Sequence, residues 1–340
     1  MSAFEFLIIS LGTFGALNGI LVLGLNLQFG TAGILNLSYF TAVAVSAYAT
    51  GVAELHHAPG GLVQYIGGFG WPFLPSILFG MAVGAGFTFL LGSMAFLRLR
   101  EDYLGLTLFA VQAGCLLVVT DYPPLFDGPR GLVGLSGPFQ STLSASGFQV
   151  EFLALTVVVL VAVLLVLQRI DRSPLGRIFR AVRDDETAAA AVGQDPWRRK
   201  TAAFVIGGAT AGLGGALFAT YVGGWDPGAW QTPETLVLLS ALVVGGRGRP
   251  LGALLGSLFL IEGINEAGLW IPTIANRPDL LPSLQGIATA AALFAFLWWR
   301  PQGILPERRE RVADFERRRR RLAPRRVRRT AGATEPGRLA

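Results

Sequence analysis

The sequence predicts an all-α protein, a polytopic transmembrane bundle of about nine helices within a range of eight to ten. Three observations carry that expectation. Only 15% of the 340 residues are charged and 52% are hydrophobic, whereas a soluble domain carries about 25% charged residues. Nine apolar stretches follow one another, most of them near the roughly 20 residues needed to cross a hydrocarbon core as a helix. The basic residues gather in alternate loops, as they do in membrane proteins with a defined orientation.

The expected spans are 6–27, 33–53, 73–97, 104–120, 152–168, 201–222, 236–246, 250–267 and 282–299. The first lacks a basic flank before it, so it reads as a span and not as a cleavable leader. The stretch 236–246 is short for a full crossing and can pair with 250–267 as a re-entrant hairpin. Gly207, Ala211 and Gly215 repeat at four-residue spacing, as do Gly208 and Gly212, and Gly15 and Gly19 in the first span. Small faces of this kind let helix backbones approach closely where lipid supplies no hydrophobic drive between helices. They argue for a compact bundle and identify no ligand.

Orientation follows from charge. Arg98 and Arg100 follow the third span, eight basic residues fall in 169–200, and thirteen more lie in the tail. Loops of the opposite parity, 121–150 and 268–281, hold only Arg130 and Arg277. The consistent assignment places 98–103, 169–200, 247–249 and the C-terminus in the cytoplasm and the N-terminus outside. Tyr65, Trp71, Trp225, Trp230, Trp270, Trp298 and Trp299 fall near span ends and are expected as interfacial aromatics.

The expected organisation is a membrane domain over 1–300 and a disordered Arg-rich cytoplasmic tail over 301–340. The net charge of +6 belongs to that tail, whose thirteen arginines face five acids. The tail is a solvated anchor or a ligand for anionic lipid. Nucleic acid is not an expected partner, because no aromatic platform is interleaved with the arginines. Cys115 is the sole cysteine and His56 and His57 the sole histidines; neither a disulfide framework nor a zinc site of finger type has support.

The most informative stretch is 169–200, RIDRSPLGRIFRAVRDDETAAAAVGQDPWRRK. Ser173 before Pro174 spells a helix start: a side-chain cap, then proline in the first turn, where its missing N–H costs nothing. Arg177, Arg180 and Arg183 recur along one side of that helix. Asp184 and Asp185 offer a second cap, and Glu186 to Val192 is a short alanine-rich helix. Gly193 is placed to end it in the left-handed conformation. Asp195 and Pro196 start a third helix, which carries Trp197, Arg198, Arg199 and Lys200 at the membrane surface before entering the bilayer. A two-turn helix is marginal in water by itself. The 186–192 helix therefore needs a docking surface: its own chain, the bilayer, or another protein.

A phosphate-binding loop of the G-x-x-x-x-G-K-[S/T] type needs a lysine beside its glycines. Lys200 is the only lysine here and follows Arg199, so no such ATP site is expected in this chain. Glu262 and Glu266 are the only acids well inside an expected span, four residues apart, and read as paired or water-facing groups. Asn18, Asn26, Asn36 and Ser38 lie in or beside the first two spans. An unpaired amide in lipid costs several kcal/mol, so these side chains either tie helices together or line a translocation path.

The 169–200 loop resembles the ATPase-contacting loop of permeases in binding-protein-dependent ABC importers, in the form found in branched-chain amino-acid permeases. The matching residues are Gly176, Arg177, Arg180, Ala181, Arg183, Asp185, Glu186, Ala188, Ala189 and Gly193. The following AFVIGGATAGLGGALFA at 203–219 is similar to the next span of that family, and LRLREDYLGLTL at 97–108 to a segment of its M-type subunit. LNLQFGTAGILNLSYF at 25–40 resembles a Gly-rich break between two spans, GPRGLVGLSGP at 128–138 an external Gly-Pro loop, and VVGGRGRPLGALLG at 243–256 a late Gly-rich turn. The resemblance runs over about 7–300. The tail is longer than the family pattern, and 54–71 with its HHAPGG does not match it.

That resemblance implies the fold of an ABC importer permease in a plasma (inner) membrane, with Gly176, Arg177, Arg180, Arg183, Asp185, Glu186, Ala189 and Gly193 as the coupling loop. It implies a second permease subunit, two P-loop ATPases that hold ATP and Mg, and an external binding protein delivering leucine-like amino acids. The alternatives from the sequence are an ion-coupled secondary transporter, an ABC permease for urea, sugar or nucleoside, and a membrane scaffold.

Overall fold

In a computed structural model, residues 3–56, 65–98, 101–138, 140, 144–264, 267, 280–300 and 302–306 are described. They fall within one compact unit, residues 1–306. From residue 307 the Arg-rich tail lies outside the described residues, as do His57, Glu266, Trp270 and Arg277.

The helices are α1 (Ala3–Leu25), α2 (Tyr39–Glu54), α3 (Phe73–Arg98), α4 (Glu101–Asp121), α5 (Pro123–Phe126), α6 (Ala145–Arg172), α7 (Pro174–Asp184), α8 (Glu186–Ala191), α9 (Pro196–Val222), α10 (Thr232–Gly245), α11 (Pro250–Ser257) and α12 (Leu280–Trp299). Nine of these coincide with the nine expected spans, and α1, α3, α4, α6 and α9 are long and apolar enough to cross a membrane. Two two-residue strands, β1 (Leu132–Val133) and β2 (Gly224–Trp225), pair antiparallel, Leu132 opposite Trp225, at the end of the bundle away from α7 and α8.

The second expected span is built differently from the others. Helix α1 continues as a π-helical turn, Asn26–Thr31. Residues 32–38 are not helical, and α2 begins only at Tyr39. Sixteen residues of helix reach about 24 Å, short of a roughly 30 Å core; the non-helical stretch supplies the remainder. Irregular backbone is tolerated at such a place only where protein covers it, and α2 is enclosed accordingly. Ala42, Val43, Ala44 and Ala47 are fully buried, between α3 and α9, the pair in closest mutual contact.

The small-residue faces explain that closeness. A Cβ on Gly215 would overlap the Val43 carbonyl oxygen, and one on Gly212 would stand 3.1 Å from the Met81 Cα. Helices α10 and α11 form a hairpin of short members, packed so tightly that a Cβ on Gly256 would overlap the Ala241 carbonyl. Helix α11 runs on as a second π-helical turn, Leu258–Glu262. The bundle's outer surfaces carry large exposed apolar side chains, among them Leu90 and Met94 on α3, Leu117 on α4 and Val158 and Leu165 on α6. Large apolar side chains exposed in this number on α3, α4 and α6 mark contact with lipid or partner subunits.

Two aromatics expected at the interface are inside. Trp225 and Trp230 are 3% and 1% exposed, and Trp230 meets the Tyr48 ring edge-on at 6.3 Å. Both follow the end of α9, where the β1–β2 pairing folds the chain back over α2 and takes them out of the lipid-facing layer. Trp298 and Trp299 are exposed as expected.

Candidate functional site: the α7–α8 loop and the break between α1 and α2

The loop after α6 folds as its caps dictate. Ser173 Oγ accepts from the Leu175 N–H at 3.2 Å and donates to the Ile170 carbonyl at 2.7 Å, closing α6 and opening α7. Asp185 Oδ1 accepts from Ala188 N–H at 2.9 Å to open α8, and Asp195 Oδ1 from Arg198 N–H at 3.3 Å to open α9. Gly193 has φ +83°. Its N–H donates to the Ala190 carbonyl and the Gln194 N–H to the Ala189 carbonyl, the paired bonds of a glycine-terminated helix. At Gly176 a Cβ would stand 2.5 Å from the Asp171 carbonyl oxygen, so glycine lets α7 turn directly off α6.

The three arginines on α7 have separate duties. Arg177 is exposed. Arg180 pairs with Asp171 on α6 at 2.5 Å and also donates to its carbonyl. Arg183 reaches inward: its Nη1 donates to the Gly30 carbonyl at 2.5 Å, and its Nε to Asp184 at 3.1 Å. Gly30 lies in the π-helical turn that ends α1. Next to it, a Cβ on Gly33 (φ +76°) would stand 2.5 Å from Arg183 Cγ, so glycine admits the arginine stem. Arg183 thus ties the loop to the discontinuity between α1 and α2.

Behind that tie lies a buried polar chain. Gln28 Nε2 donates to the Phe204 carbonyl on α9 at 2.8 Å, and Gln28 Oε1 accepts from Asn36 Nδ2 at 2.9 Å. Asn36 Oδ1 accepts from both the N–H and the hydroxyl of Ser38, at 3.0 and 2.8 Å. Asn26 Oδ1 accepts from the Gly248 N–H at 2.9 Å, joining the α10–α11 turn to α1. A Cβ on Gly207 would collide with Gln28 at 2.5 Å, so that glycine clears the amide's route to α9. Asn26, Asn36 and Ser38 are thereby bonded within the chain and at most 2% exposed. Asn18, farther along α1, donates to Glu262 Oε1 at 2.8 Å.

Helix α8 is clipped from below. Glu186, at its first position, forms an ion pair with Lys200 on α9, and Ala189 is buried at 4% exposure. Lys200, expected at the membrane surface, is instead 9% exposed, because the returning α8 covers it. The other side of α8 presents Thr187, Ala188, Ala190 and Ala191 to solvent, and beyond them Val192 is 77% exposed.

Gln28, Gly30 and Val192 complete the constellation without having been singled out by sequence, and Lys200, expected at the membrane surface, joins it as the partner of Glu186. Gln28 carried the same signal as its asparagine neighbours, an amide in an apolar segment. The roles of Lys200 and Gly30 depend on partners 14 and 153 residues away, and that of Val192 on its exposure in the fold, so they leave no local mark.

An enclosed, many-helix membrane bundle whose capped loop is wired into a broken helix pair is the architecture of a transport permease. The chain belongs to the family described as branched-chain amino acid transport system / permease component, whose model matches residues 7–297. It is 32% identical over 315 residues to the high-affinity branched-chain amino acid transport system permease protein LivM of Escherichia coli K12, covering 86% of this chain and 68% of that protein. It is 28% identical over 326 residues to a probable branched-chain amino acid transport permease protein LivM of Methanocaldococcus jannaschii, covering 85% of this chain and 90% of that one. More distant is the autoinducer 2 import system permease protein LsrC of an Enterobacter strain, 29% identical over 252 residues. No solved structure matches.

Proposed function

We propose that this chain is one of two permease subunits of an ABC importer that moves leucine-like, branched-chain amino acids delivered by an external binding protein. Two P-loop ATPases, which hold the ATP and Mg, dock on the α7–α8 end, and this chain hydrolyses no ATP itself. In that arrangement α7, α8 and the C-terminus face the cytoplasm, in keeping with the basic residues of 169–200.

One observation carries the proposal. Helix α8 is held on its inner side by the Glu186–Lys200 pair and buried Ala189, while its outer side is a small apolar surface ending in Val192. Six residues of helix do not persist in water unsupported. Here they are fixed and presented outward, as a docking element requires. Movement of docked α8 passes through α7 and Arg183 to the Gly30 carbonyl, where the α1–α2 break can yield without unwinding a continuous helix. Asn18, Asn26, Asn36 and Ser38 then act chiefly as ties that set the break, with Asn18 nearest to a path role because it is the least enclosed of the four.

The test is purification of the tagged chain from its native membrane in mild detergent, with mass spectrometry of what accompanies it. Recovery of P-loop ATPases and a second permease, with the ATPases lost in Val192→Asp, supports the proposal. A chain that purifies alone refutes it and leaves ion-gradient uptake in proteoliposomes as the next measurement.

A further inference from the structure

At the end of the bundle opposite α7 and α8, a cavity of about 420 Å³ opens beside the last turn of α2, walled by Glu54, His56, Trp71, Phe73, Ser136 and Gly137. That volume is within the roughly 300–1,000 Å³ of small-molecule sites. Glu54 is 9% exposed. Its Oε1 is occupied, accepting from the Ser136 N–H at 2.6 Å and the Ser136 hydroxyl at 3.1 Å. Its Oε2 is buried with no hydrogen-bond partner, and among the described residues no basic side chain pairs with the carboxylate.

Several features make this an unusual place for an acid. It ends a helix, where the macrodipole disfavours negative charge. It is buried, where an unmatched charge is costly. Half of its acceptor capacity is unused, although its geometry is fixed by two bonds from the 128–138 loop. The lining includes the aromatic side chains of Trp71 and Phe73; Trp71 is 40% exposed and its ring is edge-on to Phe79 at 5.5 Å. The nearby backbone donors are already spent: Gly70 N–H on the Leu55 carbonyl, Trp71 N–H on Ala53 and Gly137 N–H on Gln140. The cavity therefore offers an acidic side chain and aromatic rings, with those three amides unavailable to a carboxylate.

We propose that this cavity binds the ammonium group of a small organic amine, with the half-satisfied Glu54 carboxylate as its counter-charge and Trp71 as its cation–π wall. In the importer reading, on which the direction of approach rests, the ligand is an amino acid held by its amino group at the outer mouth.

The test titrates the purified full chain in detergent with isoamylammonium chloride and follows tryptophan fluorescence, with sodium chloride matching the ionic strength. Isoamyl alcohol is the neutral counterpart. The expected result is a saturable change with the amine and none with the alcohol, and binding weakened about tenfold or more in Glu54→Gln, as loss of a charged hydrogen bond implies. Equal response to the alcohol, no saturable response to the amine, or undiminished affinity in Glu54→Gln overturns the proposal. The alcohol comparison needs no variant, so the test stands even if Glu54→Gln does not fold. Amine binding by a chain that recruits no ATPase leaves the site standing without the importer; ATPase recovery without amine binding does the reverse.

Discussion

Replacing Arg183 with Met tests whether the α7–α8 loop is mechanically joined to the α1–α2 break. Methionine keeps an unbranched stem to fill the space beside Gly33 but removes the guanidinium that donates to the Gly30 carbonyl at 2.5 Å. A hydrogen bond from a charged group contributes about 1.5–3 kcal/mol. With the Arg183 side chain 20% exposed, the lower half of that range applies, about 1.5–2 kcal/mol. At 1.4 kcal/mol per factor of ten, this is roughly a 10- to 30-fold shift between the joined and parted arrangements. The assay is ATP hydrolysed per amino acid imported by the complete transporter in proteoliposomes. Arg183→Met is expected to raise that ratio severalfold while the ATPases still co-purify. Arg183→Lys, which keeps the charge but loses the planar fork, is expected to fall between. An unchanged ratio in Arg183→Met at normal assembly would refute the coupling route.

Other outcomes follow from the same geometry. Asn36→Leu strands Gln28 Oε1 and both donors of Ser38, at about 1–3 kcal/mol for each unsatisfied group; its melting temperature in detergent should fall well below wild type, and an unchanged value would show that the chain relaxes around the loss. Gly215→Ala drives a methyl into the Val43 carbonyl and should destabilise the bundle, whereas Gly86→Ala, with nothing within 4 Å, should be neutral or gain up to about 1 kcal/mol of helix propensity; thermal melts of the pair separate packing from propensity. Gly193→Ala meets no neighbour within 4 Å, so its cost is conformational, about 1–3 kcal/mol for a left-handed alanine. It should weaken ATPase co-purification without reducing membrane insertion, and Gly193→Asn should do so less.

Local chemistry made much of this protein legible in the sequence. Nine apolar segments correspond to nine helices because lipid-embedded backbone must satisfy its own hydrogen bonds, which leaves few alternatives to a helix. Ser173, Asp185, Asp195 and Gly193 sit where caps and a left-handed stop were expected, because each acts on backbone two to five residues away. What the segments do with their sides was not legible. Hydropathy treats 33–53 like any other span, yet its first residues are non-helical and the remainder is the enclosed centre of the bundle. Three evenly spaced arginines read as one face, while the fold sends Arg180 to α6 and Arg183 to Gly30, 153 residues away. Trp225, Trp230 and Lys200 look interfacial by position and are buried by chain that returns over them. Glu54 lies just past the expected span 33–53 and acquires its half-used carboxylate only when Ser136, 82 residues on, closes over it. Length, apolarity and capping are properties of neighbouring residues and are written in the sequence. Which face is covered, and which polar atom is left for a ligand, depends on segments that meet only in three dimensions.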